Sequence, residues 1–174
     1  MARWWMVALA GALVAAGGVR EAGADADPNT RSQRAREAVN VAAPADRIWA
    51  MVGNFQDMSW LPLVEKTEGK GGNAPGATRR LTLKGGATVD EELTLYDAEH
   101  MTYVYRITSV DPKVLPVTGY ESWLSVMPGK GSQIVEWRGA FEPAGTDGPT
   151  AVKAVSGVYA AGLGNVREKL GKGG

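Results

Sequence analysis

Residues 150–170, TAVKAVSGVYAAGLGNVREKL, decide the fold because they predict one long amphipathic helix near the C-terminal end of the chain. Apolar residues recur in this stretch at intervals of three and four, which is the spacing of one helix face. These residues are Val152, Val155, Tyr159, Leu163, Val166 and Leu170. The pattern predicts a helix that packs this face against the rest of the protein.

Glycines interrupt the predicted helix at Gly157, Gly162 and Gly164. Each glycine in a helix costs up to about 1 kcal/mol relative to alanine, so all of them need a structural reason. One reason is close contact between the helix and a sheet. The other is a helix that is thinned where it covers a cavity, and the sequence leaves both open.

Upstream of the helix, turn-like sequences separate a series of segments with strand character. The predicted strands cover residues 64–69, 77–83, 87–96, 101–110, 120–127 and 133–141. No helical pattern lies between these strands. We therefore expect them to form an antiparallel meander.

The N-terminal part of the domain reads as an edge strand followed by helices. A strand pattern ends near Val41, a helix begins at Pro44, and Gly53 stops it. A second short helix is expected over residues 55–60, ended by Pro62. The predicted fold class is α+β, with a curved seven-stranded antiparallel sheet around the long C-terminal helix and two short helices after strand 1. Such a sheet leaves a space that is either plugged by large side chains or open as a pocket.

The N-terminus has the layout of a secretory signal peptide. Residues 4–19 form an apolar run, and Ala24 and Ala26 fit a small-x-small cleavage pattern. The alternative is a membrane anchor that stays, but the run is shorter than the roughly 20 residues that span a bilayer. The expected organisation is a signal peptide over 1–26, a flexible leader over 27–34 and one domain over 35–172.

Composition narrows the classes of function. The chain has 19 Lys and Arg against 19 Asp and Glu, so it lacks the basic excess that nucleic-acid binding requires. It has no cysteine, which excludes a disulfide framework, a thiol nucleophile and a cysteine-based metal site. The signal peptide predicts a periplasmic protein with no membrane span after its removal.

The segment LPVTGYESWLSV, residues 115–126, directs two hydroxyl groups toward the interior. If Leu124 and Val126 face the core, strand alternation places Tyr120 and Ser122 on the same face. This arrangement is compatible with a polar group in a ligand pocket. It is equally compatible with an internal hydrogen-bond network that holds no ligand.

The chain resembles the START-like superfamily, also called the Bet v 1-like or polyketide cyclase/dehydrase and lipid-transport group. The resemblance covers residues 36–170 and rests on the order and spacing of several stretches. These are VNVAAPADRIWAMVGNFQDMSWLP, GATRRLTL, EELTLYD, YVYRI, LPVTGYESWLSV and IVEWRGAFEP. It implies a helix-grip fold with an internal cavity.

The resemblance also implies which side chains face that cavity. In ligand-binding relatives such as the plant abscisic acid receptors, the positions that match Tyr120 and Ser122 point inward. The other matching inward positions are Arg79, Leu81, Leu83, Glu92, Tyr105 and Ile107. Further lining is expected from Trp60, Val158 and Gly162. Those receptors hold an acidic ligand with a lysine where this chain has Leu61, which argues against a carboxylate held in that way.

Among the expected pocket residues, Glu92 is the candidate for chemistry. A carboxylate facing a cavity must be protonated, paired or hydrated, and Arg79 is the nearest candidate partner. An enzyme would use Glu92 as a general base, but no second acid or nucleophile accompanies it. Consecutive acidic residues at 90–92 point to alternate faces and cannot converge on a metal. His100, the only histidine, is expected to be exposed in a turn.

Two hypotheses of function follow. Within the superfamily, a secreted single domain of this size is similar to the MxaD-type periplasmic accessory proteins of bacterial methanol oxidation, which implies methanol dehydrogenase or its cytochrome c as partner. Val114, Leu115 and Trp123 are the candidate partner surface. The alternative is a periplasmic carrier of small hydrophobic ligands, or a cyclase-like enzyme, that uses the cavity. Neither hypothesis calls for a cofactor.

Overall fold

The computed structural model describes residues 31–171, which form one antiparallel sheet and two helices. The strands are β1 (Gln33–Val41), β2 (Val64–Lys70), β3 (Thr78–Leu83), β4 (Thr88–Asp97), β5 (Thr102–Val110), β6 (Val117–Pro128) and β7 (Gln133–Pro143). The helices are α1 (Ala45–Val52) and α2 (Gly148–Leu170). The predicted α+β class, its strands and its long C-terminal helix are confirmed. The predicted signal peptide lies outside the described residues, and β1 already includes Gln33 and Arg34 of the predicted leader.

The strand order in the sheet is β1-β7-β6-β5-β4-β3-β2, with every pair antiparallel. Strands β2 to β7 therefore form the expected meander. The chain crosses between the two sheet edges after β1, through the segment that carries α1. The sheet curves around α2, which packs chiefly against β1 and β7.

Helix α2 is defined at both ends by local chemistry. The Asp147 side chain caps it by accepting a hydrogen bond from the Thr150 backbone N–H at 2.8 Å, and Pro149 occupies the first turn. Arg167 and Lys169 lie in the last turn, where positive charge is favourable to the helix dipole. The buried face is Ala151, Val155, Tyr159, Gly162, Leu163, Val166 and Leu170. Most of the predicted apolar face is therefore buried, whereas Val152 is only partly so.

Of the glycines predicted to interrupt α2, at positions 157, 162 and 164, only Gly162 has a structural reason. A Cβ atom there would lie 2.9 Å from Trp60 Cζ3, 3.0 Å from Trp137 Cζ3 and 3.1 Å from Leu61 Cδ1. Gly162 thus supports the explanation that a glycine permits close contact between the helix and its neighbours. It does not support a helix that is thinned where it covers a cavity. Nothing in the structure explains Gly157 and Gly164, where an added Cβ would meet no atom within 4 Å.

The prediction of a second short helix over residues 55–60 is wrong. The segment instead forms successive turns, with Asp57 N–H donating to Asn54 O and Leu61 N–H donating to Met58 O. The cause is local, because the side chain of Asn54 accepts from the Gln56 N–H at 3.0 Å and that of Asp57 accepts from the Ser59 N–H at 2.8 Å. Asparagine and aspartate side chains that bind the backbone in this way compete with helix formation.

The contrast between two glycines of α2 gives a stability prediction. We expect Gly162→Ala to lower the free energy of unfolding by about 1–3 kcal/mol, because two indole rings and Leu61 leave no room for the methyl group. The matched variant Gly157→Ala should raise the free energy of unfolding by up to about 1 kcal/mol through helix propensity. Urea denaturation followed by circular dichroism measures both. Equal effects of the two substitutions would contradict the packing role of Gly162.

Candidate functional site

Tyr120 and Ser122 face the interior and belong to a hydrogen-bond network. The Ser122 hydroxyl donates to the backbone carbonyl of Arg138 at 2.8 Å and lies 3.2 Å from the Tyr159 hydroxyl. The Tyr120 and Tyr159 hydroxyls are 2.5 Å apart. The Trp137 indole N–H donates to Ser122 Oγ at 2.9 Å and shares its proton with the Tyr105 hydroxyl at 3.1 Å. The network therefore satisfies Ser122 without any ligand.

A glycine in β7 lets α2 reach this network. Gly139 lies opposite Ser122 in the β6–β7 pairing, and a Cβ there would lie 2.3 Å from the Tyr159 hydroxyl. Without a side chain at Gly139, the Tyr159 ring stacks on Trp137 with a centroid separation of 4.5 Å. The hydroxyl of the helix thereby bonds directly to residues of the sheet.

The tyrosines of the network stay protonated at neutral pH. Burial disfavours the phenolate and raises the pKa of Tyr105 and Tyr120 well above the usual value, and it raises the pKa of Tyr159 as well. Tyr105 accepts the indole proton of Trp137, so its own O–H can donate elsewhere. The network thus supplies phenolic hydroxyl groups as neutral hydrogen-bond donors.

Beside the network lies a buried ion pair between neighbouring strands. Arg79 Nε on β3 donates to Glu91 Oε2 on β4 at 2.5 Å, with the two side chains 0% and 5% exposed. Arg79 Nη1 also donates to the Phe55 carbonyl at 2.7 Å, and its guanidinium lies 4.1 Å from the Phe55 ring centroid. Burial raises the pKa of Glu91, and the adjacent guanidinium opposes that effect without reversing it.

The prediction that Glu92 faces the cavity is wrong. Glu92 points to the outer face, where its oxygens lie 3.3 Å from Arg106 Nη2, and Glu91 is the carboxylate that turns inward. Strand alternation explains the difference, because Glu91 shares a face with the buried residues Val89 and Leu93. A shift of one residue in a strand reverses the face of a side chain.

Glu91 of the ion pair and two network tyrosines border a cavity of about 130 Å³. Its lining is Met58, Leu61, Leu63, Leu81, Leu83, Val89, Glu91, Tyr105, Ile107, Val114, Leu115, Tyr120, Trp137 and Val158. Apart from Glu91 and the amphipathic side chains of Tyr105, Tyr120 and Trp137, the lining residues are aliphatic or methionine. The cavity therefore has one polar side within an apolar enclosure.

Exposed apolar residues mark the mouth of this cavity. Among the described residues, the large apolar side chains that remain exposed are Leu63, Leu95 and Val114. Leu63 and Val114 both line the cavity. Val114 belongs to a loop held by the Asp111 carbonyl, which accepts hydrogen bonds from the N–H groups of Val114 and Leu115. Val114 and Leu115, which were predicted to belong to a partner surface, are thus part of the cavity wall.

The structure divides the other predicted pocket residues into two groups. The cavity is lined by Leu81, Leu83, Tyr105, Ile107, Tyr120 and Val158. Arg79, Ser122, Trp60 and Gly162 are buried next to the lining residues without being among them. Trp60 in particular packs on Trp137, at a centroid distance of 5.2 Å, and acts as core.

Several residues that line the cavity were not predicted from the sequence, each for a different reason. Glu91 was available from its alternation with Val89 and Leu93. Met58 was missed because it reaches the cavity from a segment that was predicted as a helix and forms turns. Leu61 was named only as the position that matches the lysine of the receptors, and it lines the cavity as an apolar residue. The sequence did not show whether Trp137 or its neighbour Glu136 faces the interior. In the structure both side chains are buried, with Trp137 2% exposed and Glu136 7% exposed.

Two predicted features lie outside the cavity. Trp123 is on the outer face of β6, with the Arg138 guanidinium 5.3 Å from its ring centroid. His100 is exposed in the β4–β5 turn and pairs with Asp97 through a 2.7 Å contact. Within residues 31–171, no group of three or more histidine, aspartate or glutamate side chains is placed to hold a metal ion.

An antiparallel sheet that grips a long helix over an internal cavity defines a helix-grip protein of the Bet v 1-like kind. The chain belongs to the polyketide cyclase / dehydrase and lipid transport family, whose model matches residues 32–171. No protein of curated function matches it in sequence. None of the described helices is long and apolar enough to cross a membrane.

Solved structures of similar proteins agree with this assignment. The protein XoxI from Bacillus cereus is 25% identical, with a TM-score of 0.72 over 79% of this chain and 95% of its own. A Thermobifida fusca protein is 28% identical, with a TM-score of 0.66 over 80% of this chain and 93% of its own. Norcoclaurine synthase from Thalictrum flavum, a point mutant in complex with a transition state analogue, is 24% identical, with a TM-score of 0.59 over 79% and 93% of the two chains. The last likeness concerns the fold alone.

The opposite faces of Glu91 and Glu92 give a direct test of the buried pair. Glu91→Gln leaves the buried Arg79 cation without its anion, so we expect it to lower the free energy of unfolding by about 3 kcal/mol. Glu92→Gln removes a partly exposed charge on the same strand and should change stability little. Chemical denaturation of both variants measures the difference. A larger loss in Glu92→Gln would contradict the assignment of the inward carboxylate.

Proposed function

We propose that this protein binds a small, largely apolar ligand in the cavity between the sheet and α2. The observation that carries the proposal is the placement of exposed apolar side chains at the mouth of an apolar cavity, Leu63 and Val114. Exposed apolar surface at a concave site is typical of ligand entry. The description of the family, which includes lipid transport, agrees with this proposal.

The polar side of the cavity serves to orient the ligand. Tyr105 and Tyr120 offer hydroxyl groups, and Glu91 offers a carboxylate, all within an apolar wall. A few polar groups in an apolar pocket fix orientation and supply specificity. We propose binding rather than catalysis, because Arg79 Nε already engages Glu91 Oε2 in an ion pair.

The volume of the cavity limits the ligand that fits without rearrangement. Most ligand pockets measure about 300–1,000 Å³, whereas this cavity measures about 130 Å³. A dry apolar cavity of about 150 Å³ binds benzene in another protein. The ligand that this conformation accepts is therefore of the size of a single aromatic ring. A larger ligand requires the loop around Val114 and Leu115 to move outward.

Filling the cavity tests this proposal. Val158→Phe extends a larger side chain from α2 into the cavity, so we expect it to weaken binding of toluene at least tenfold. Val152→Phe is the matched control, because Val152 is a partly buried valine of the same helix that does not line the cavity. Titration with toluene, followed by ¹H–¹⁵N NMR shifts, measures affinity. Absence of saturable toluene binding to the unmodified protein would contradict the proposal, as would unchanged binding in Val158→Phe.

We propose as a second candidate an exported accessory protein of the MxaD type that contacts methanol dehydrogenase or its cytochrome c. A groove on the outer face favours it, since Trp123 lies there among Arg34, Arg36 and Arg138. Aromatic and arginine side chains are the residue types that dominate binding energy at protein interfaces. Export rests on the signal-peptide pattern of residues 1–26.

The accessory role predicts that the outer groove binds the partner and the cavity does not. We expect Trp123→Ala to reduce retention of purified methanol dehydrogenase, or of its cytochrome c, on immobilised mature protein at low salt by at least fivefold. Val158→Phe should leave retention unchanged, because its side chain is in the cavity. Equal retention by Trp123→Ala and the unmodified protein would overturn this candidate. Absence of the protein from the periplasmic fraction of its source would overturn the export proposal.

A further inference from the structure

The charged lining of the cavity is acidic. Among the described residues that line it, Glu91 is the only one with an ionisable charge at neutral pH, and no lysine, arginine or histidine contributes. Lys84 and Lys113 follow or precede lining residues in sequence, but both are exposed to solvent. Exposed ammonium groups are screened by water and salt and exert little effect inside a cavity.

The buried ion pair presents its negative end to the cavity. Glu91 belongs to the lining, whereas Arg79 does not. The guanidinium is held by Glu91 Oε2, by the Phe55 carbonyl and between the rings of Phe55 and Tyr105. Its Nη2 atom is buried and has no hydrogen-bond partner among the described residues. A ligand in the cavity therefore meets the carboxylate without direct access to the cation behind it.

Aromatic residues add to this asymmetry. Tyr105, Tyr120 and Trp137 all line the cavity, and the faces of aromatic rings attract cations. The hydroxyl oxygens of the tyrosines can also accept hydrogen bonds from an ammonium group. An anionic head group would instead be placed beside a carboxylate with no accessible cation to compensate for its loss of water.

From this arrangement we infer that the cavity discriminates between ligands by the sign of their charge. It accepts ligands with a protonated amine or another cationic head group and rejects carboxylates, and Glu91 is the residue that determines this specificity. The inference rests on the proposed ligand-binding function and adds the chemical class of the head group.

Benzylammonium and benzoate provide the test at pH 7. Each ion contains a single aromatic ring, which fits the cavity volume, and each loses hydration when it enters the cavity. The ratio of their affinities therefore reports the effect of the sign of the charge. We expect benzylammonium to bind the unmodified protein at least tenfold more tightly than benzoate, measured by NMR titration. In Glu91→Gln the preference should disappear or reverse, because the Arg79 charge remains. Glu92→Gln should keep the original ratio, since Glu92 lies on the outer face.

A second pair of variants decides the matter if Glu91→Gln does not fold. Leu63→Lys adds a cation at the mouth and should move the ratio several-fold toward benzoate, whereas Leu95→Lys adds the same charge at an exposed site away from the cavity and should not. Equal binding of the two ions to the unmodified protein would overturn the inference, and so would a ratio that neither Glu91→Gln nor Leu63→Lys changes. If toluene binds but neither ion does, only the charge selectivity fails. If toluene does not bind, the proposed function itself fails.

Discussion

The contact between Tyr159 of α2 and the backbone of β7 at Gly139 is the constraint on which the interior depends. It brings a helix hydroxyl within hydrogen-bond distance of Ser122 and Tyr120 on the neighbouring strand. Any side chain at Gly139 would occupy the position of that hydroxyl. Helix and sheet are thus joined by directional bonds as well as by apolar packing, which fixes the position of the helix along the sheet.

The concave face of the sheet is filled with large side chains in one region and open in another. Around α2, large side chains occupy the space, with Trp60 and Trp137 closing on Gly162. The cavity lies beside this region, where Leu81 of β3 and Val89 of β4 contribute smaller apolar side chains to its wall. Both outcomes expected for the interior, a plug of large side chains and an open pocket, occur side by side in this molecule, and Trp137 belongs to both.

The elements that sequence could predict are those governed by periodicity. Alternation identified the strands and the inward direction of Tyr120, and helical spacing identified α2. The errors arose where a local effect overrides the pattern. Asn54 and Asp57 bond to their own backbone and replace a helix by turns, and two adjacent acidic residues made Glu91 and Glu92 easy to exchange. No pattern could show that the Val114 loop would border the cavity, because that depends on tertiary packing.

The pairing of β1 with β7 has a consequence for how the chain reaches its final form. Arg36 and Glu136, bonded across these strands, are 100 residues apart in sequence. Contacts between distant segments form slowly because a long loop must first close. The first strand has no strand partner until the seventh has been made, so this pairing waits until most of the domain has been synthesised.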